Sequence, residues 1–517
     1  MPRVTAVPAA RSVVLPAAAA LTVSIALIPL SYLVVRTARV GWAGIVDELL
    51  TVRVAELAVR SLGLALVVST GCILLGVCCA FAVTRTDLPG RRFFGVLAAL
   101  PLAVPTYVAA FGWVSTFNDF EGFWPAALVL TLCCYPYVYL PVAGSLVGAD
   151  PAQEEVSRSL GRGPLGTFLG VTVRQVRPAI MAGALLVALY VLSDFGAVSI
   201  LRTDTFTRAI FIQFELGFDR TGALVLSNVL IALTVVLLVA ESLMRRRQAR
   251  YAPVGAAARR AHPPARLGWL RWPSVVVLVA VPLLALGVPV VNLAQRFTSG
   301  MSRPGSLAEV ASAAGNSLWI SLAGAALTTL LALPIGILAA RRHGRFPALI
   351  ERLSYLTHAL PGVVIGLSLI FFGVTVAFAL YQTVWLLLLG YAALFLPLAV
   401  AAVTSAAGQA PPMLEDVARS LGRPSSTVWR TVTLPLAMPG IGAGAALVFI
   451  TGMKELPATL LLRPTGMETL ATRLWTHTAV ASYAAAAPYA AILVLLTVVP
   501  TWLLTVRLGI LQRGGDT

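Results

Sequence analysis

Glu154-Glu155-Val156-Ser157-Arg158-Ser159-Leu160-Gly161-Arg162 returns 261 residues later as Glu415-Asp416-Val417-Ala418-Arg419-Ser420-Leu421-Gly422-Arg423. The run Arg-Ser-Leu-Gly-Arg is identical in both copies. So polar a segment does not sit in hydrocarbon, where charges and unpaired backbone groups are costly. Each copy nevertheless lies between strongly apolar runs. The two copies therefore read as water-facing loops at the same place in two equivalent half-proteins.

The rest of the chain supports that reading. Of 517 residues, 58% are hydrophobic and 11% charged, and the mean hydropathy is +0.88. A soluble chain of this length needs more polar surface. The fold class expected is all-α, a polytopic membrane protein. The net charge of +17 raises nucleic acid as a partner, but the basic residues fall between apolar runs, as topology-setting charges do. The five cysteines, Cys72, Cys78, Cys79, Cys133 and Cys134, all lie in apolar segments of the first half. They form no CxxC pair and match no histidine, so neither a disulfide framework nor a metal site is indicated.

A span needs about 20 apolar residues. Such runs fall near 15–35, 58–83, 94–116, 125–147, 179–201 and 222–243, and again near 273–294, 315–340, 354–380, 383–406, 440–462 and 485–507. The first follows Arg3 and Arg11 and reads as a retained helix rather than a removed signal peptide. The duplication reaches beyond the loops. Ser61-Leu62 matches Ser317-Leu318, Arg85 matches Arg341, and Leu140-Pro141 matches Leu396-Pro397, all 256 residues apart. Pro178 matches Pro439 at 261. The domains expected are 1–243, with a core at about 57–243, and 273–517, with a core at about 313–507. A basic linker, 244–272, joins them and holds Arg245-Arg246-Arg247, Arg259-Arg260, His262 and Pro263-Pro264. Two halves with an even number of spans run parallel, and a pathway is expected at their interface.

Most of the 38 basic residues fall on one side of this layout, among them Arg85, Arg91, Arg92, Arg158, Arg162, Arg341, Arg342, Arg419 and Arg423. That bias places both termini and both repeated loops in the cytoplasm. In the first loop Val156, Leu160, Leu165, Phe168 and Leu169 give an apolar face; in the second, Val417, Leu421, Val428 and Trp429 do. Gly161 and Gly422 break the helix and accept positive φ. Glu155 and Asp416 are placed to pair with basic groups on a partner or to cap a neighbouring helix.

An acid, two small residues and a glycine six places on resemble the cytoplasmic coupling motif of ABC importer permeases, with two fused transmembrane domains in one chain. The family's alanines after the acid are Val156-Ser157 and Val417-Ala418 here. Its closing Leu-Pro is kept as Leu434-Pro435 but is Val173-Arg174 in the first copy. The resemblance implies that Glu154, Glu155, Gly161, Arg162, Glu415, Asp416, Gly422 and Arg423 belong to loops that dock on two ATPase subunits. It also implies that an extracytoplasmic binding protein delivers the substrate. The chain holds one lysine, Lys454, which follows Met453, so the Gly-Lys-Ser/Thr of a P-loop is impossible. The chain is expected to be a transport subunit and no enzyme. It is expected to bind no cofactor, ATP being used by its partner.

Asp194 and Glu455 each lie 16 residues after a matched proline, and Arg202 and Arg463 follow eight residues on. At ~1.5 Å per helical residue each acid sits about 24 Å from the loop side. One reading makes Asp194, Arg202, Lys454, Glu455 and Arg463 the lining of a pathway or gate; the other makes them ion pairs that fix helix ends. Lys454-Glu455-Leu456-Pro457-Ala458-Thr459-Leu460-Leu461-Leu462-Arg463-Pro464, with Thr469-Leu470-Ala471-Thr472-Arg473-Leu474-Trp475, is similar to the ferric-iron branch of these permeases. Ser193-Asp194-Phe195-Gly196-Ala197 is similar to the corresponding stretch of their first half. Related branches carry thiamine, phosphonates, polyamines or sulfate. An ion-gradient transporter using the two acids is the rival, but it has no need of two coupling loops. A membrane enzyme is disfavoured because His262, His343, His358 and His477 are scattered.

Overall fold

The computed structural model describes residues 14–149, 151–215, 220–248, 267–299, 306–342 and 344–507. Every regular element among them is helical, and the protein is an all-α multi-pass membrane protein. Nine of the described helices are long and apolar enough to cross a bilayer. Two bent pairs, Val14–Ala26 with Ile28–Arg39 and Arg91–Ala103 with Thr106–Val114, bring the number to eleven if each pair is one span, and Gly362–Thr375 is a shorter apolar helix. At most eleven of the twelve expected segments thus have a spanning counterpart, and the expected span 354–380 holds only this shorter helix.

The breaks have local causes. Pro105 and Pro361 hold the same place in the two halves, and the residue before each, Val104 and Leu360, is extended at ψ 128° and 118°. The proline ring disfavours the helical conformation at its predecessor, and here the chain bends by 87° before Thr106–Val114. The expected spans 179–201 and 440–462 end early: the helices stop at Ser193 and Met453, and short helices Gly196–Ile200 and Pro457–Leu462 follow. Arg245-Arg246-Arg247, expected in the linker, continue the helix Arg220–Gln248. Arg259, Arg260, His262, Pro263 and Pro264 lie outside the described residues.

The described residues of Met1–Arg36 and Gly315–Met467 form one compact unit; those of Thr37–Ala314 and Glu468–Thr517 form another. These units do not follow the sequence halves. In the first unit, Val14–Ala26 packs against Arg345–Tyr355 and Val384–Gln409, and the latter lies along Leu434–Met453. In the second, Arg271–Pro282 and Val288–Ser299 pack on Arg91–Ala99 and Thr106–Val114. The opening helix of each half thus finds its apolar partner in the other half of the sequence.

Within the second unit, Val52–Arg85 and Val173–Ser193 both pack on Pro136–Val147. The approach is close because two glycines face Val138. A Cβ at Gly76 would come 2.8 Å from the Val138 Cβ, and one at Gly183 would come 2.7 Å from its Cα. Small residues at helix contacts are how membrane helices gain packing where lipid removes the hydrophobic drive.

Candidate functional site: two repeated loops and two capped helix breaks

The repeated loops fold alike. Each opens with a helix, Pro151–Ser159 or Pro412–Ser420, continues through a four-residue helix, Pro164–Thr167 or Ser425–Val428, and enters the next span through a widened π-helical turn, Phe168–Thr172 or Trp429–Thr433. Val173-Arg174 in place of Leu-Pro does not change this order. Gly161 and Gly422 carry φ of 78° and 79°. The following N–H reaches back over a full turn: Arg162 to the Ser157 carbonyl and Arg423 to that of Ala418, both at 3.2 Å. These are left-handed helix ends of the kind glycine permits.

The outward face of each loop is apolar. Leu160 and Leu421 are each 76% exposed, and Val156, Leu169, Val417, Met413 and Leu414 are exposed beside them. Two expected members of these faces turn inward. Val428 is buried, and Phe168 packs edge-on against Phe81 with centroids 4.6 Å apart. Trp429 is half-buried, and the Leu165 side chain lies outside the described ones. Glu155 is exposed on the first helix; Asp416 is exposed on the second and pairs with Arg419 at 2.8 Å. Arg162 folds back over Gly170, where a Cβ would come 3.1 Å from its guanidinium. Arg423 is exposed.

The inward face is charged. Glu154 is buried; it takes a hydrogen bond from Thr172 Oγ1 at 2.9 Å and faces Arg85 at 3.8 Å and Arg158 at 3.6 Å. Glu415 repeats this with Thr433 at 2.9 Å, Arg341 at 2.6 Å and Arg419 at 3.0 Å. Arg85 and Arg341 end the long helices Val52–Arg85 and Leu307–Arg341. Removing one partner of a buried pair costs about 3–5 kcal/mol, because the other charge is left uncompensated. The sequence held the signal, since all the partners recur at the two offsets of the repeat. The pairing itself needs the fold.

Asp194 and Glu455 come out as caps of the short helices. Asp194 Oδ1 accepts the N–H groups of Ala197 at 3.0 Å and Val198 at 3.2 Å, and Oδ2 accepts from Thr106 Oγ1 at 2.7 Å. Glu455 Oε1 accepts the N–H of Ala458 at 3.0 Å. The same oxygen lies against Gly362, where a Cβ would come within 2.7 Å of it. Thr106 and Gly362 each open the helix after the matched proline. Each acid thus faces the N-termini of two helices, which favour a negative charge. The shorter acid meets a threonine and the longer one a glycine. Arg202, expected beside Asp194, instead pairs with Glu121 at 3.3 Å; its own φ of 49° turns the chain there. Arg463 donates to the Met467 carbonyl at 2.8 Å. Lys454 is the C-terminal cap of Leu434–Met453, an end that favours a cation.

Residues 72–251 and 332–507 each match the family model described as "Binding-protein-dependent transport system inner membrane component". The chain is 39% identical over 480 residues to the Fe(3+)-transport system permease protein FbpB 2 of Haemophilus influenzae, covering 92% of this chain and 95% of that one. It is 29% identical over 247 residues to the sulfate transport system permease protein CysT of Escherichia coli, covering 44% of this chain and 89% of that one. It is 31% identical over 218 residues to the molybdenum transport system permease protein ModB of Mycobacterium tuberculosis, covering 38% and 78%.

Proposed function

The chain belongs to the binding-protein-dependent transport system inner membrane components, and from that premise we propose that it imports ferric ion, driven by ATP that separate subunits hydrolyse. The observation that carries the substrate is the similarity to a ferric-ion permease along nearly the whole length of both chains. The sulfate and molybdenum relatives match less than half of this chain each. Two ATPase subunits dock on the apolar faces around Leu160 and Leu421, on the cytoplasmic side, and a binding protein delivers the substrate at the opposite side. The chain binds no cofactor itself; with Lys454 as its one lysine it has no P-loop of its own. ATP binding draws the docked loops into one of two states and hydrolysis releases them, a shift of population between inward- and outward-open forms.

The test is uptake by proteoliposomes containing the permease, its ATPase and its binding protein. ATP-dependent uptake of labelled ferric ion, unaffected by excess sulfate or molybdate, is expected. Uptake of an anion with none of iron would overturn the substrate. Sidedness is checked separately. Single cysteines at Leu160 and Leu421, in a chain lacking the five native cysteines, are expected to react with impermeant maleimide in inside-out vesicles and to stay unlabelled in intact cells. Labelling in intact cells would reverse the orientation.

A further inference from the structure

The buried carboxylate of each repeated loop has no task in docking, since it faces away from the exposed leucines. We propose that Glu154 and Glu415, with Arg85 and Arg341, are positioning residues that transmit the movement of each docked loop to two spans at once. The proposal rests on the transport reading above.

Each carboxylate joins three elements. It belongs to the loop helix. It accepts from a threonine at the end of the π-helical turn that begins the following span, Thr172 or Thr433, at 2.9 Å. It faces the arginine that ends a 34- or 35-residue helix earlier in the half. A π turn widens the helix and sets a side chain off the regular α-helical register; such turns often sit at functional sites. Here it sets the threonine hydroxyl on the carboxylate. The same four residue types, Arg, Glu, Arg and Thr, recur in both units, although the sequences around them differ. A loop that only docked would need the exposed face and the glycine turn, without a charge buried beneath them.

The two clamps differ in tightness. Arg341 Nη2 bonds both Glu415 at 2.6 Å and the Ala410 carbonyl at 3.1 Å. Arg85 approaches Glu154 only to 3.8 Å, and among the described residues its guanidinium nitrogens make no hydrogen bond. Loss of Arg341 is therefore expected to cost more than loss of Arg85.

The experiment uses the full-length permease with its ATPase, in a chain without native cysteines and with one cysteine at Leu307, the exposed far end of the helix that Arg341 terminates. ATP with vanadate is expected to change the rate of maleimide modification at that cysteine. In Arg85→Ala with Arg341→Ala, that response and the uptake per ATP hydrolysed are expected to fall about tenfold, a coupling loss of the usual size, while complex yield and ATP hydrolysis persist. Lysine at both positions is expected to restore most of the response, and Arg341→Ala alone to lose more than Arg85→Ala alone. An unchanged response in the double alanine variant overturns the proposal. Should that variant fail to assemble, Thr172→Val with Thr433→Val decides. That pair removes one hydrogen bond from each carboxylate and unpairs no charge, so a parental uptake per ATP there also overturns it. A parental complex that does not respond to ATP at all would count against the transport reading instead.

Discussion

A permease carrying valine at both Gly161 and Gly422 is expected to insert normally and yet to lose nearly all ATPase binding and ATP-driven uptake. The two glycines sit at φ 78° and 79°, and a Cβ at either would meet nothing within 4 Å. Crowding is thus no part of the effect; the backbone is. An L-residue in the left-handed region costs about 1–2 kcal/mol, and a β-branched one there is an outlier. At about 1.4 kcal/mol per factor of ten, one valine depletes the native loop turn by roughly 5- to 30-fold. The two turns belong to separate compact units, and independent losses multiply. The lost geometry also includes the bonds from the Arg162 and Arg423 N–H groups that fix the exit direction of each chain. Asparagine, which visits this region more readily, is expected to retain most binding at either site. Pull-down of the ATPase and ATP-dependent uptake measure both. Full binding by the double valine variant would show that the turn does not set the docking surface.

What could be read in the sequence and what could not follows from the range of each interaction. The spans were legible because hydrocarbon demands runs of apolar residues whatever they pack against. The loops were legible because polar repeats between such runs have one place to go. Their faces were harder. The first loop turns Val156 and Leu160 outward and buries Glu154 and Ser157, the reverse of the usual amphipathic rule. From sequence, Glu155 and Asp416 take a pairing or capping role, while their buried neighbours Glu154 and Glu415 count only as members of the loops. Arg85 and Arg341 stood out only as markers of the repeat and as topology-setting charges, because their carboxylates lie some 70 residues on and meet them only after folding. Arg202 misled for the opposite reason. It is near Asp194 in sequence, but the left-handed turn at Arg202 itself carries it to Glu121.

Alanine at Asp194 is expected to remove most folded permease from the membrane, while asparagine at the same site leaves both fold and uptake within about twofold of the parent. The carboxylate accepts three hydrogen bonds, two from the N–H groups that open Gly196–Ile200 and one from Thr106. Alanine leaves those donors unpaired in a buried place. Bonds to a charged acceptor contribute about 1.5–3 kcal/mol each and a helix cap about 1 kcal/mol; the terms overlap, so a total near 3 kcal/mol, roughly a hundredfold in population, is the reasonable scale. Asparagine keeps an oxygen for the Ala197 and Val198 N–H groups, and its amide can donate to Thr106 Oγ1, whose own proton can then turn to the Tyr190 hydroxyl 3.1 Å away. In the other unit, Glu455→Gln keeps the acceptor for Ala458 and is expected to behave as Asp194→Asn does. The contrast between amide and alanine separates the two roles open to these acids. A cap needs an oxygen of the right reach, whereas a pathway or gate that attracts a cation needs the charge. Stable protein with uptake abolished in Asp194→Asn and Glu455→Gln would make the charge the working part. Retained uptake in both would leave the acids as the groups that hold each broken helix against the helix beginning at Thr106 or Gly362.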